Sequence, residues 1–84
     1  MAFVYHRQQG VGPALLLLHG FCETHQIWND LLPDLAKHFE VLTPDLPGFG
    51  KSDPLQSNFS ISDVSDTMLQ WLRSVGTVPA VVIG

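Results

Sequence analysis

The sequence predicts an α/β fold, with a mostly parallel sheet flanked by helices, on three observations. Residues 14–18 are an apolar run with no polar face, too short for a free-standing helix, and read as a strand buried on both sides, and 78–83 are a second apolar, β-branched run that reads as a strand. Apolar residues recur at helical spacing in the intervening segments, around 27–35 and 61–75. The runs are separated by turn-forming stretches rich in glycine, proline and polar residues, so the order reads strand, helix, strand, helix, strand. Each crossover between parallel strands is expected to be right-handed.

Residues 2–7 mix aromatic and β-branched side chains and read as a first strand. The segment 8–13, Gln-Gln-Gly-Val-Gly-Pro, is turn material, which predicts that the first two strands form a hairpin or lie close together, making the sheet mixed at this edge. The second strand, 14–18, stops at His19-Gly20. Ligands in open α/β sheets bind past the carboxyl ends of strands, so His19, Gly20, Phe21 and Cys22 stand where chemistry is usually done. A glycine there permits positive φ and close backbone approach, although Gly20 could equally do no more than close a tight turn.

Ile27, Trp28, Leu31, Leu32 and Leu35 follow at helical spacing, with Thr24 as N-cap candidate and Pro33 expected to shorten or bend the helix. Lys37 and His38 suit its C-terminal end. Residues 39–43 form the third strand, closed by Pro44, and lead into Asp45-Leu46-Pro47-Gly48-Phe49-Gly50-Lys51-Ser52-Asp53-Pro54, whose two glycines and two further prolines after Asp45 demand a turn-rich loop. Ser60 opens the clearest helix, with Ile61, Val64, Met68, Leu69, Leu72 and Val75 as an apolar stripe, Asp63 and Asp66 near its start and Gly76 past its end. Met68 and Trp71 read as core and flank. The last strand, 78–83, would leave a bare apolar edge.

With 84 residues there is room for one domain. Four basic and eight acidic residues give a net charge of −4 with no basic stripe, which argues against a nucleic-acid partner. The single cysteine, Cys22, cannot form an internal disulfide, and no basic-then-apolar leader follows Met1; a reducing, cytoplasmic setting is expected. No apolar run approaches the roughly twenty residues of a membrane span, so no membrane partner is expected.

His19-Gly20-Phe21 after a buried strand, Asp45-Leu46-Pro47-Gly48-Phe49-Gly50-Lys51-Ser52 after the next, and a strand ending Val81-Val82-Ile83-Gly84 together closely resemble the amino-terminal third of an α/β-hydrolase of the esterase-like branch. The order and spacing of the three carry the resemblance, which spans essentially the whole chain. It implies that residues 1–84 are the amino-terminal portion of a single α/β-hydrolase domain, starting at the family's second strand and ending where the Gly-x-Ser-x-Gly nucleophile elbow begins, at Gly84. It further implies that the Phe21 backbone N–H is an oxyanion donor and that His19, Gly20 and Cys22 line the substrate-pocket loop. Asp45, Gly48, Gly50 and Ser52 would form a structural turn beside the site. The nucleophile, the acid and the base histidine would lie beyond residue 84, within the remainder of the same domain. His19 is then a loop-shaping residue. The expected function is hydrolysis of small acyl compounds by a serine nucleophile, without cofactor. The absence of proline after His19-Gly20-Phe21 disfavours the epoxide-hydrolase and dehalogenase branches.

Rival readings are weaker. Gly50-Lys51-Ser52 resembles a phosphate-binding loop but has Asp45 where the first glycine belongs, and Pro54 blocks an immediate helix. Gly48-x-Gly50-x-x-Asp53 lacks the third glycine of a dinucleotide fingerprint. His19, Cys22 and His25 are spaced by three but have no nearby fourth ligand, so no metal is expected. A non-catalytic small-molecule binding protein on the same fold is the serious alternative, because fold does not fix function.

Overall fold

The structure is a computed structural model that describes residues 3–20, 23–55, 58–76, 78–79 and 81–84. Its strands are β1 (His6–Gln9), β2 (Ala14–Leu17), β3 (Glu40–Pro44) and β4 (Val81–Ile83), and its helices are α1 (Leu32–Leu35) and α2 (Ile61–Val75), with a 3-10 turn over His25–Trp28. The strands form one sheet in the order β1-β3-β2-β4. β2 pairs in parallel with both β3 and β4, and β1 runs antiparallel to β3.

β2 is central, and it shows why an apolar run without a polar face reads as a doubly buried strand. Ala14 and Leu16 pack with Val4, Leu42 and Trp71 on one side of the sheet. On the other side Leu15 and Leu17 pack with Leu32 and Val41. Each large side chain buried this way contributes about 1.5–3 kcal/mol. The two helices take opposite faces: Met68, Leu72 and Val75 of α2 cover the first cluster, while Trp28 and Leu35, before and within α1, cover the second. Opposite faces are what two crossovers of one hand require here, since the chain moves from β2 to β3 and then back across β2 to β4.

Four expectations need correction. β1 lies beside β3 rather than in a hairpin with β2, with His6 opposite Pro44 and Gln9 opposite Val41. At Gly10 and Gly12 (φ +96° and +132°) the chain passes so close to the start of β3 that an added Cβ would overlap the carbonyl oxygens of Phe39 and His38, and this crossing carries it over to β2. Residues 3–5, expected within the first strand, instead bind the loop after β3: Asp45 N–H donates to Tyr5 O (2.8 Å) and Asp53 N–H to Phe3 O (2.8 Å).

The helix expected around 27–35 is split. Thr24 does act as a cap, accepting from Gln26 N–H, but it caps the 3-10 turn, and α1 is only four residues long. Proline is tolerated in a first helical turn and disruptive further in, so Pro33 forces the α-helix to start beside it.

α2 is capped as predicted by a reciprocal Ser60–Asp63 box and a left-handed Gly76. Its buried face, however, is centred on Trp71. Trp71 is buried, whereas Ile61 and Leu69 are exposed. The Trp71 indole N–H donates to His6 Nδ1 (3.2 Å) with the rings edge to face, which pins the helix to the start of β1. The β4 side chains Val81, Val82 and Ile83 are about half exposed, as expected for a bare apolar edge. Among the described residues no helix is long and apolar enough to cross a membrane.

Candidate active-site loops

The chain leaving β2 turns toward the α1 face and the chain leaving β3 toward the α2 face, so a crevice is expected above the carboxyl ends of these two strands. Buried polar side chains stand there, among them His19 after β2 and Asp45 after β3.

His19 shapes the loop through both ring nitrogens. Leu46 N–H donates to Nε2 (2.8 Å), so the proton is on Nδ1, which donates to Gly20 O (2.8 Å). Phe49 packs edge-on against the ring at 5.7 Å. A histidine with both nitrogens engaged has no lone pair left for a metal or for base catalysis.

Gly20 and Glu23 close a tight turn, Gly20 N–H donating to Glu23 Oε1 (2.9 Å) and Glu23 N–H to Gly20 O (3.2 Å). Gly20 does not use positive φ. A Cβ would stand 2.6 Å from its hydrogen-bond partner Glu23 Oε1, the end of a flexible exposed side chain, so added bulk would displace that bond rather than the backbone. Phe21 and Cys22, expected as oxyanion donor and pocket lining, lie outside the described residues.

Asp45 is fully buried and holds the second loop. Its Oδ1 accepts from His25 N–H and from His25 Nδ1, both at 2.7 Å, and its Oδ2 accepts from Lys51 N–H (3.0 Å). Its carbonyl oxygen accepts from Ser52 Oγ (2.5 Å), and that hydroxyl in turn accepts from Tyr5 N–H (2.9 Å). Gly48 N–H donates to Asp53 O (3.0 Å), and both Gly48 and Gly50 have positive φ. The four expected turn residues, Asp45, Gly48, Gly50 and Ser52, thus belong to one knot. Tyr5 completes it, its ring tilted against His25 (5.3 Å) and covered by the Lys51 ammonium (4.9 Å).

Burial pushes the Asp45 carboxyl up, but the N–H groups of His25 and Lys51 and the His25 side chain outweigh it and leave the group below its ordinary value. A depressed native pKa stabilises the fold above the carboxylate range of the unfolded chain, about pH 4, and that contribution is lost as pH falls through the native value. The acid limb of a stability profile should therefore flatten in Asp45→Asn. Chemical denaturation between pH 3 and 7 measures this, and unchanged pH dependence would show that the carboxylate is not the linked group.

Glu23 and Tyr5 were not recognisable as parts of the site, and His25 suggested only a metal ligand. The available signal was Asp45 itself, a charge directly after a buried strand, which must find donors somewhere.

Gly84 stands at the same end of the sheet. Leu18 N–H donates to Ile83 O (2.8 Å), and a Cβ on Gly84 would contact the Leu18 side chain at 3.7 Å. Three strand ends, after β2, β3 and β4, thus converge with His19-Gly20, Asp45 and Gly84. Residues 13–84 match the alpha/beta hydrolase fold family. The chain belongs to that family.

Among curated relatives, the pimeloyl-[acyl-carrier protein] methyl ester esterase of Pectobacterium carotovorum is 37% identical over 70 residues, covering 82% of this chain and 27% of the esterase. A fluoroacetate dehalogenase from a Burkholderia species is 36% identical over 72 residues, covering 80% of this chain and 24% of the dehalogenase. The chain spans about a quarter of the length of the curated relatives it matches. Among solved structures, an esterase from a marine microorganism superposes with a TM-score of 0.88 over 100% of this chain and 32% of its own; at 23% identity it speaks for the fold alone.

Proposed function

We propose that this α/β-hydrolase chain belongs to a hydrolase of small acyl compounds, a carboxylic ester or a related substrate, which uses a serine nucleophile. The observation that most supports the reading is the placement of Gly84 beside Leu18, one residue before His19-Gly20. A nucleophile carried on a sharp turn after β4 would emerge next to the loop after β2, where the Phe21 main-chain N–H would serve the oxyanion. Such a donor lowers the barrier for acyl transfer by about 3 kcal/mol. The acid and base would come from the rest of the domain.

Fluorophosphonate labelling of the full-length protein, with mapping of the modified residue, tests this. The expected outcome is labelling at a serine two residues after Gly84, together with loss of p-nitrophenyl acetate hydrolysis. The dehalogenase relative favours a second reading, in which an aspartate stands at that position and the protein resists the probe. Against it, Cys22 stands where the dehalogenase and epoxide-hydrolase pattern has proline. A residue that is neither serine nor aspartate would favour a non-catalytic binding protein.

A further inference from the structure

The Asp45–His25 pair goes beyond a structural turn. A single carboxylate oxygen accepts from both the backbone N–H and the ring Nδ1 of His25, each at 2.7 Å. With Asp45 ionised, Nδ1 carries a proton. His25 is 7% exposed, and its Nε2 makes no hydrogen bond to the described residues. The ring therefore spends its polar contact on holding position. The groups facing it are the Asp45 carboxylate from the end of β3 and the Tyr5 ring, over which the Lys51 ammonium also stands.

The position it holds is informative. On either side of residues 21–22, the described residues His19–Gly20 and Glu23–His25 are tied down. At one end, the His19 ring joins Gly20 O to Leu46 N–H and the Gly20–Glu23 turn closes. At the other, His25 is tied to Asp45. Both anchors come from the first residues after β3, and the proposed donor residue, Phe21, lies between them in sequence.

We propose that His25 is a positioning residue for the reaction: through Nδ1 and Asp45 it ties the chain that follows the proposed oxyanion donor, Phe21, to the end of β3. The inference rests on the serine-hydrolase reading above. Small displacements of a catalytic donor cost far more in rate than in binding, because the donor is needed where charge develops.

The test compares His25→Asn and His25→Gln in the full-length protein. The Asn amide can occupy the place of Nδ1, whereas the Gln amide reaches the place of Nε2. Both keep a polar side chain, and their thermal midpoints are recorded alongside activity. His25→Asn is expected to retain kcat within about threefold. His25→Gln should lose about tenfold in kcat and in the fluorophosphonate labelling rate, with KM changed less than twofold.

Equal activity of wild type and both variants would overturn the proposal. Inactivity of both folded variants would overturn it too, pointing to direct use of Nε2. Should His25→Gln fail to fold, an Asn variant with wild-type kcat and labelling supports the proposal and one with tenfold-lower rates overturns it. Failure of the probe to label wild type at all would remove the serine-hydrolase reading itself, an outcome distinct from uniform labelling of all three proteins.

Discussion

Asp45→Ala should destabilise the full-length protein by about 3–5 kcal/mol, the range for removing one member of a buried charged network. The carboxylate has no solvent exposure and satisfies three N–H donors, two from His25 and one from Lys51. Alanine leaves all three without an acceptor, at about 1–3 kcal/mol for each group that stays unsatisfied and less for any that water reaches. Against a typical stability of 5–15 kcal/mol this is a large fraction. Asp53→Ala is the contrasting case. Its carboxylate accepts from Phe3 N–H at 3.1 Å in an exposed position, and about 0.5–1.5 kcal/mol is expected there. Urea titrations of both variants give the comparison. A cost below about 1 kcal/mol for Asp45→Ala would mean that the loop finds other acceptors and that the knot does not hold it.

The contrast between these two aspartates also shows what sequence reading can and cannot reach. Local signals were legible wherever one segment determines its own structure. The apolar run 14–18 has no polar face, so burial on both sides was its only stable outcome, and Ser60, Asp63 and Gly76 announce the ends of α2 through bonds made within a few residues. Pairings between distant segments were not legible. Nothing in residues 2–13 says that the first strand will choose β3 over β2, because the choice depends on how closely Gly10 and Gly12 pass the start of β3. Trp71 could be central or flanking until His6 supplied an acceptor 65 residues away.

The site divides along the same line. That His19 shapes a loop and that Asp45, Gly48, Gly50 and Ser52 build a turn followed from the motifs. That His25 joins the two did not, since Asp45 needs donors but does not say which ones. Pattern reading gives the charge its place, and only three-dimensional packing gives it partners.

Gly50→Val should also be strongly damaging in the loop after β3, with an expected loss of about 3 kcal/mol or more from two causes that add. The first is conformational: at φ +53° a β-branched residue pays about 1–2 kcal/mol for the left-handed region. The second is steric. A Cβ at this position would overlap Asp45 Oδ2, and its Cγ would lie 2.5 Å away. A long surface side chain could swing clear, but the Asp45 carboxylate is short, enclosed and held by His25 and Lys51, so moving it breaks the bonds that hold both loops. Gly48 separates the two causes. It too has positive φ, at +86°, yet a Cβ there meets nothing within 4 Å, so Gly48→Ala should cost only the conformational share, about 1 kcal/mol. Thermal and urea unfolding of Gly50→Val, Gly50→Ala and Gly48→Ala in the full-length protein resolve the terms. Similar losses for the two alanine variants would show that the carboxylate yields easily; a gap of 2 kcal/mol or more would locate the rigidity of this loop in the fixed position of Asp45.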